Sequence, residues 1–344
     1  MKKALIIGST GQDGAYLARF LCDKGYQVYG TYRKRSASNL WRLQYLDIHN
    51  DIELIPVDML DGDSIIKAIT ISQPDEVYNL ASQSTVKASF EQPVIGGEDT
   101  GLGVTRILEA IRNINPRIRF YQASSSELFG RGGQKPQTET SPFHPANPYA
   151  AAKLYAYWMA NIYREKYGIF ACNGILFNHE SPLRGLEFVS RKISDAVARI
   201  SLGLEKRLCL GSLEAERDWG YAAEYVEAMW GMLQQQQPDD YVIATGEAHS
   251  VKEFVVKAFG MVDLNWQEYV RVDEKYPVLL DDGTLRGDYS KAKRVLGWEP
   301  KVKFDGLVEL MVKEDMSRWQ RWLKGEKFPW DAPHDSPSPR ELAQ

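Results

Sequence analysis

Short apolar runs, each stopped by glycine or a small polar residue, alternate through the first half of the chain with stretches whose apolar positions recur at helical spacing. Lys2 to Ile7, Gln27 to Thr31, Asp51 to Val57, Glu76 to Ala81, Arg119 to Ala123 and Ile169 to Phe177 read as buried parallel strands. Ala15 to Lys24, Ser64 to Ser72, Gly101 to Asn113 and Tyr149 to Tyr167 read as the helices between them. This alternation predicts an α/β fold, a doubly wound parallel sheet with its ligand crevice at the carboxyl ends of the strands. The last of these helices carries Tyr155, Tyr157, Trp158, Met159 and Tyr163 around more than one face, which predicts packing on the sheet and also on a partner subunit. After Ser181 the pattern loosens into a helix over Phe188 to Leu202, a short strand over Leu208 to Gly211, a helix over Ala222 to Gln234 and a strand over Tyr241 to Thr245. The expected division is a dinucleotide-binding domain over 1–177, rejoined by about 218–245. A smaller C-terminal substrate-binding domain follows over 178–217 and 246–328, and a Pro- and Ser-rich flexible tail over 329–344.

Composition narrows the classes. The 344 residues carry a net charge of -4, with acidic and basic residues nearly balanced, so binding to nucleic acid through bulk charge is excluded. The three cysteines, Cys22, Cys172 and Cys209, are far apart, and neither they nor the five histidines show metal-ligand spacing. No metal is expected, and a reducing, cytoplasmic setting is. The N-terminal apolar run, Ala4 to Ile7, is too short for a signal peptide, and no stretch approaches the roughly 18 apolar residues of a membrane span.

Candidate chemistry sits at the strand ends. Gly8, Gly11 and Gly14 form G-x-x-G-x-x-G between a strand and a helix. Backbone around Thr10, Gln12 and Asp13 there can approach a pyrophosphate, and the helix N-terminus points at the anion. The acidic residue that would hold a ribose 2′-hydroxyl at the end of the second strand is missing. Arg33, Lys34, Arg35 and Ser36 stand there instead and suit a 2′-phosphate, so the expected cofactor is NADP; the bland reading is a solvated basic loop. Asp58 and Met59 are placed to touch adenine. Leu80 and Ala81 lead into Ser82, Gln83 and Ser84 near the nicotinamide side. Tyr149 and Lys153, at i and i+4, share one helix face, where the ammonium can lower the phenol's pKa and make it a general base, while Ser125 from another strand end can hydrogen-bond the same phenol. Arg131 to Pro148 reads as a loop over this site.

With these groups in place the chain resembles the extended short-chain dehydrogenase/reductases. Four blocks sharpen this: Gly11 to Gly14 (GQDG), Tyr121 to Gly130 (YQASSSELFG), Gly174 to Gly185 (GILFNHESPLRG) and Arg217 to Gly220 (RDWG). These look like the GDP-mannose 4,6-dehydratase family, over about residues 3 to 315. The resemblance implies a Rossmann-type domain, NADP, and a GDP-sugar as the bound substrate, in a homodimer or homotetramer. By it, Tyr149 with Lys153 takes the proton of the sugar 4-hydroxyl, Ser125 orients the phenol where the family has threonine, and Glu127 removes the C5 proton and helps expel the 6-hydroxyl. The bland reading of Glu127 is a carboxylate favoured at a helix N-terminus. The resemblance also implies cofactor contacts from Arg35 and Ser36, in part toward a neighbouring subunit's 2′-phosphate, and from Leu176, His179 and Arg184. It implies substrate contacts from Ser84, Asn178, Glu180, Val189, Lys192, Leu208, Gly211 and Arg217. One segment departs from the family: Tyr276 replaces an arginine before Pro277, with extra residues up to Arg286. This leaves open another GDP-sugar, such as GDP-manno-heptose. A 4-keto sugar-nucleotide reductase or epimerase, and a non-catalytic NADP-binding protein, are the remaining alternatives.

Overall fold

The computed structural model describes residues 1–34, 39–83, 85–130, 136–273 and 285–326. Arg35, Ser36, Ser84, the Tyr276 segment up to residue 284 and the tail from 329 on lie outside the described residues. The first part runs β1 (Lys3–Ile7), α1 (Gln12–Asp23), β2 (Gln27–Tyr32), α2 (Trp41–Tyr45), β3 (Glu53–Pro56), α3 (Gly62–Ser72) and β4 (Glu76–Asn79). Then come α4 (Val86–Glu91), α5 (Pro93–Gly96), a π-helical turn (Gly97–Leu102), α6 (Gly103–Ile114), β5 (Arg119–Ser125), a 3-10 turn (Ser126–Leu128), α7 (Pro148–Tyr167) and β6 (Ala171–Leu176). The second part comprises β7 (Asn178–Glu180), α8 (Val189–Ser201), β8 (Leu208–Leu210), β9 (Glu216–Arg217), β10 (Trp219–Tyr221), α9 (Ala222–Leu233) and β11 (Asp240–Ile243). It closes with β12 (His249–Ser250), α10 (Val251–Gly260), α11 (Trp266–Tyr269), β13 (Val270–Val272), α12 (Ser290–Leu296) and α13 (Phe304–Leu323).

Seven strands form one sheet in the order β11-β6-β5-β4-β1-β2-β3, with every pairing parallel. The strands are apolar on both faces because helices cover both. On one side α1 and α9 bury Leu17, Leu21, Tyr225 and Met229 against Ile6, Tyr78 and Tyr121. On the other, α3, α6 and α7 bury Ile65, Ile107 and Ala160 against Leu5, Val77 and Phe120. The sequential order reverses between β1 and β4, which opens the crevice at their carboxyl ends. The expected return of the chain to the sheet occurs: β11 pairs with β6, and the Asp240 carboxylate ties it down. Its oxygens accept from Asn173 Nδ2 at 3.0 Å, Arg164 Nη1 at 2.9 Å and the Tyr157 hydroxyl at 2.8 Å. A separate apolar cluster joins α8, α10 and α13 through Ile193, Phe254, Leu307 and Met311.

Two local differences bear on the site. Helix α1 begins at Gln12 rather than Ala15, because Gly11 is extended (φ -75°, ψ 173°) and the turn closes at once behind it. The stretch before α6, which carried no sequence-based assignment, is helical almost throughout. Pro93 starts α5 at its first position, where its missing N–H is harmless, and the π-helical turn continues into α6.

Candidate active site

A cleft of about 760 Å³ lies over the carboxyl ends of the central strands, lined by Gly8, Thr10 to Gly14, Arg33, Met59, Leu80 to Gln83, Asp99 and Arg184, among others. Its floor depends on absent side chains. Gly8 has φ +94°, and a Cβ there would stand 2.9 Å from the Ala81 nitrogen; one on Gly14 would stand 2.3 Å from the Gly8 oxygen. Gly11 caps α1 without a side-chain hydrogen bond, which leaves first-turn N–H groups for an anion. A long cleft, a close-packed glycine turn and an open helix N-terminus fit a dinucleotide.

The side chains of this turn reach across to β7. Gln12 Nε2 donates to the His179 carbonyl at 3.1 Å, and the Ser181 hydroxyl donates to Gln12 Oε1 at 2.8 Å. Both nitrogens of His179 face acceptors, Nδ1 the Phe177 carbonyl at 2.7 Å and Nε2 Asp13 Oδ2 at 2.8 Å, which calls for a hydrogen on each. Burial alone would push the imidazole down, but the Asp13 charge and hydrogen bond hold it above its ordinary value. Burial would likewise raise Asp13, and the His179 charge overrides it, bringing the carboxyl down to about 2. His179, expected as a direct cofactor contact, is thus occupied by protein at both ring nitrogens.

Beside the cleft, next to Ser82 and Arg184 of its lining, four groups converge. Burial pushes the Tyr149 phenol up to about 12; the Ser125 and Ser82 hydroxyls and the Arg184 charge pull the other way, and the Glu127 charge adds to the rise. Burial outweighs the attractions that pull this phenol down, and Lys153 is not among them. Lys153 Nζ lies 5.8 Å from the centre of the Tyr149 ring and donates to the Ala123 carbonyl at 2.8 Å. Burial brings its ammonium down to about 8, opposed by the charges of Asp13 and Asp99. Glu127 rides on the 3-10 turn after β5, its N–H donating to Ser125 Oγ at 3.2 Å. Its carboxylate accepts from Asn147 Nδ2 at 2.9 Å, while Asn147 Oδ1 caps α7 at the Ala150 N–H at 2.8 Å. One residue thus fixes the acid against the helix that carries Tyr149 and Lys153.

A model of the GDP-mannose 4,6 dehydratase family matches residues 5–311. The chain belongs to the GDP-mannose 4,6-dehydratase family. An Arabidopsis thaliana relative named GDP-mannose 4,6 dehydratase 1 is 51% identical over 330 residues, 93% of this chain and 91% of the relative. The fold is shared more widely. The Bacillus anthracis dTDP-glucose 4,6-dehydratase in complex with NAD superposes with a TM-score of 0.80 at 19% identity, over 95% of this chain and all of the other. The Pseudomonas aeruginosa protein RMD complexed with NADPH gives 0.75 at 22%, over 92% of this chain and all of the other.

Within this family member the remaining expected residues are distributed unevenly. Met59 is buried beside Gly103, but Asp58 is exposed and caps a local turn through Leu60 N at 3.0 Å rather than facing the cleft. Lys34 is exposed, and Leu176 is buried at the end of β6. Glu180 is buried against Arg184 Nε at 3.1 Å and the Ser190 hydroxyl, so its oxygens serve the protein. Asn178 starts β7 beside Trp219. Val189 opens α8, and Lys192 Nζ, one turn on, donates to the Cys209 carbonyl at 2.7 Å, next to Leu208 and close to Gly211. Arg217 on β9 is half-buried. Two site residues escaped the sequence reading, Asn147 and Asp99. The motif Asn147-Pro148 is an ordinary helix start and signals a cap, not a second bond to Glu127. Asp99 comes from the π-helical turn, and its Oδ2 accepts from Arg33 Nη2 at 2.7 Å; no local signal marks it.

Proposed function

We propose that this chain is an NADP-dependent hydro-lyase that converts GDP-mannose to GDP-4-keto-6-deoxymannose. Membership of the family supports the reaction. The observation that carries it is a carboxylate, Glu127, at the same place as Tyr149, the buried Lys153 and the Ser125 hydroxyl. A plain reductase needs a hydride and one proton donor; the second proton-transfer group is what elimination requires.

Gly8 to Gly14 and Leu80 to Gln83 would hold the dinucleotide, with Arg184 beside it and Arg33 toward a 2′-phosphate. When bound, it supplies a hydride acceptor for C4 and returns the hydride to C6, so net redox is zero. Tyr149 takes the proton of the 4-hydroxyl. Lys153, mostly charged at pH 7 with a value of about 8, supplies the positive charge a phenolate needs, and Ser125 orients the phenol. Oxidation at C4 makes the C5 proton acidic. Glu127 takes that proton and passes it to the departing 6-hydroxyl, which leaves as water and opens a C5–C6 double bond; when C6 is reduced, C5 takes up a proton, balanced by the one Tyr149 removed from the 4-hydroxyl. Asn178, Lys192, Gly211 and Arg217 are assigned to the nucleotide diphosphate by the family resemblance, and two cations suit two phosphates.

The outer face of α7 exposes Tyr155, Trp158 and Ile162, and α4 and α5, which pack against α7, expose Phe90 and Val94. We place a second copy of this chain on that face, which light scattering of the purified protein tests. No helix among the described residues is long and apolar enough to cross a membrane, and free Cys22, Cys172 and Cys209 support a reducing cytoplasm.

The test is incubation with GDP-mannose and no added cofactor, following product mass. Loss of one water without turnover of external NADPH is expected. Consumption of NADPH would replace the proposal by a reductase. Turnover of GDP-manno-heptose alone would keep the reaction and change the sugar.

A further inference from the structure

We propose that Asp99 is a cofactor-selecting residue that opposes the 2′-phosphate Arg33 attracts, so that this chain discriminates weakly between the phosphorylated and unphosphorylated dinucleotides. The inference rests on the reading of the cleft as a dinucleotide site and deepens it. The end of β2 is where a dinucleotide fold holds the adenosine ribose, ordinarily with an acidic side chain on the 2′-hydroxyl. This chain has Arg33 there, and the acid arrives from across the cleft, on the π-helical turn. Asp99 is 4% exposed and lines the cleft. Its Oδ2 takes one Arg33 N–H at 2.7 Å, and its Oδ1 is buried with no hydrogen-bond partner among the described residues.

The chemistry follows from donors and charges. The Arg33–Asp99 pair is neutral as a unit, so the guanidinium that would attract a 2′-phosphate is already half-compensated. A doubly ionised phosphate has no donor to offer the orphan oxygen and meets it as a like charge. A ribose hydroxyl has such a donor. The same carboxylate therefore favours the hydroxyl and penalises the phosphate, while Arg33 does the reverse. The Gln83 amide oxygen, likewise buried without a partner among the described residues, lies on the same wall, where the Gln83 N–H donates to Thr100 Oγ1 at 3.3 Å. The π-helical turn thus presents Asp99 to the cleft and holds the Gln83 backbone through Thr100.

Because the Asp99 charge also acts on Lys153, binding and not turnover is the readout. Protein freed of nucleotide is titrated with NADP and with NAD in a calorimeter, for wild type, Asp99→Asn, Asp99→Ser and Arg33→Met. Removing the carboxylate charge is expected to raise the ratio of the NAD dissociation constant to the NADP one by about tenfold, and Arg33→Met to lower it. A ratio in both Asp99 variants that stays within about threefold of wild type, or falls, overturns the proposal, since it would make Asp99 a mere anchor for Arg33. Preference of the wild type for NAD would instead overturn the NADP reading and leave the shift on substitution as the test of Asp99. Thermal unfolding without nucleotide shows whether each variant is folded.

Discussion

The two ends of the cleft are built differently. At the end assigned to chemistry, three groups are held in place: Lys153 by the Ala123 carbonyl, the Glu127 N–H by the Ser125 hydroxyl, and Asn147 at once by Glu127 and the start of α7. At the adenosine end a long Arg33 side chain, 40% exposed, hangs on a single carboxylate oxygen. Fixed groups act on rate, because a small displacement misplaces a reacting atom. Loosely held groups act on affinity and choice of ligand. Between the two, the Asp13–His179 pair spans the cofactor turn and β7, and its loss should register as stability.

The sharpest way to break this contrast is Glu127→Gln. It keeps the shape and the Asn147 contact side, so cofactor affinity should stay at its wild-type value while product formation falls by about 10³-fold. Measurement of the 4-keto product together with a cofactor titration decides it; retained dehydration removes Glu127 from its role. Next comes pH. Lys153 loses its proton as pH rises through about 8, far below the point where Tyr149, at about 12, ionises unaided. The rate should therefore fall on an alkaline limb near 8, by about tenfold per pH unit, and Lys153→Arg should move that limb upward. A flat profile to pH 10 would contradict it.

Asp13→Asn is expected to act on folding. The carboxyl sits at about 2 in the folded chain against 3.8 ordinarily, so its stabilisation is present above the ordinary value and lost as pH falls toward 2. His179 is raised, so its share is present below its ordinary 6.5 and lost as pH rises past the elevated value. The variant should lose about 2 kcal/mol in urea unfolding near pH 6, with the deficit shrinking toward pH 2. An equal deficit at both pH values would show a packing effect instead. The smallest change is Asn147→Ala, expected to remove about 1 kcal/mol as a lost cap. Asn147→Ser restores the cap and not the longer reach to Glu127, so a recovered melting temperature with a still reduced rate would separate the two bonds.

The sheet was legible because buried parallel strands leave short apolar runs and glycine turns, and β1 to β6 and the return at β11 all follow from them. The Ser125, Glu127, Tyr149 and Lys153 positions were legible as residue types. Their electrostatics were not: the phenol's high value comes from burial by elements remote in sequence, which a spacing of four residues does not encode. The Val86 to Thr100 stretch has no helical reading in the sequence because Pro93 and paired Gly96-Gly97 interrupt the pattern. Packing of these turns against α7 overrides the local signal. Asp99 was invisible for the same reason, since its meaning depends on Arg33, far away in the chain. Asp58 and Glu180 were the converse, acidic residues at strand ends that the structure uses for a turn and a buried ion pair.

The closing strand β11 has a consequence for synthesis. When residue 177 has left the ribosome, β6 is still an open edge, and Asn173, Arg164 and Tyr157 wait for a carboxylate that has not been made. Translation at 5–20 residues per second delivers Asp240 roughly 3 to 13 seconds later. During that interval the nascent sheet has a bare, apolar margin and an unpaired arginine beside it. The cofactor half of this protein therefore completes itself only after much of the other half has been translated.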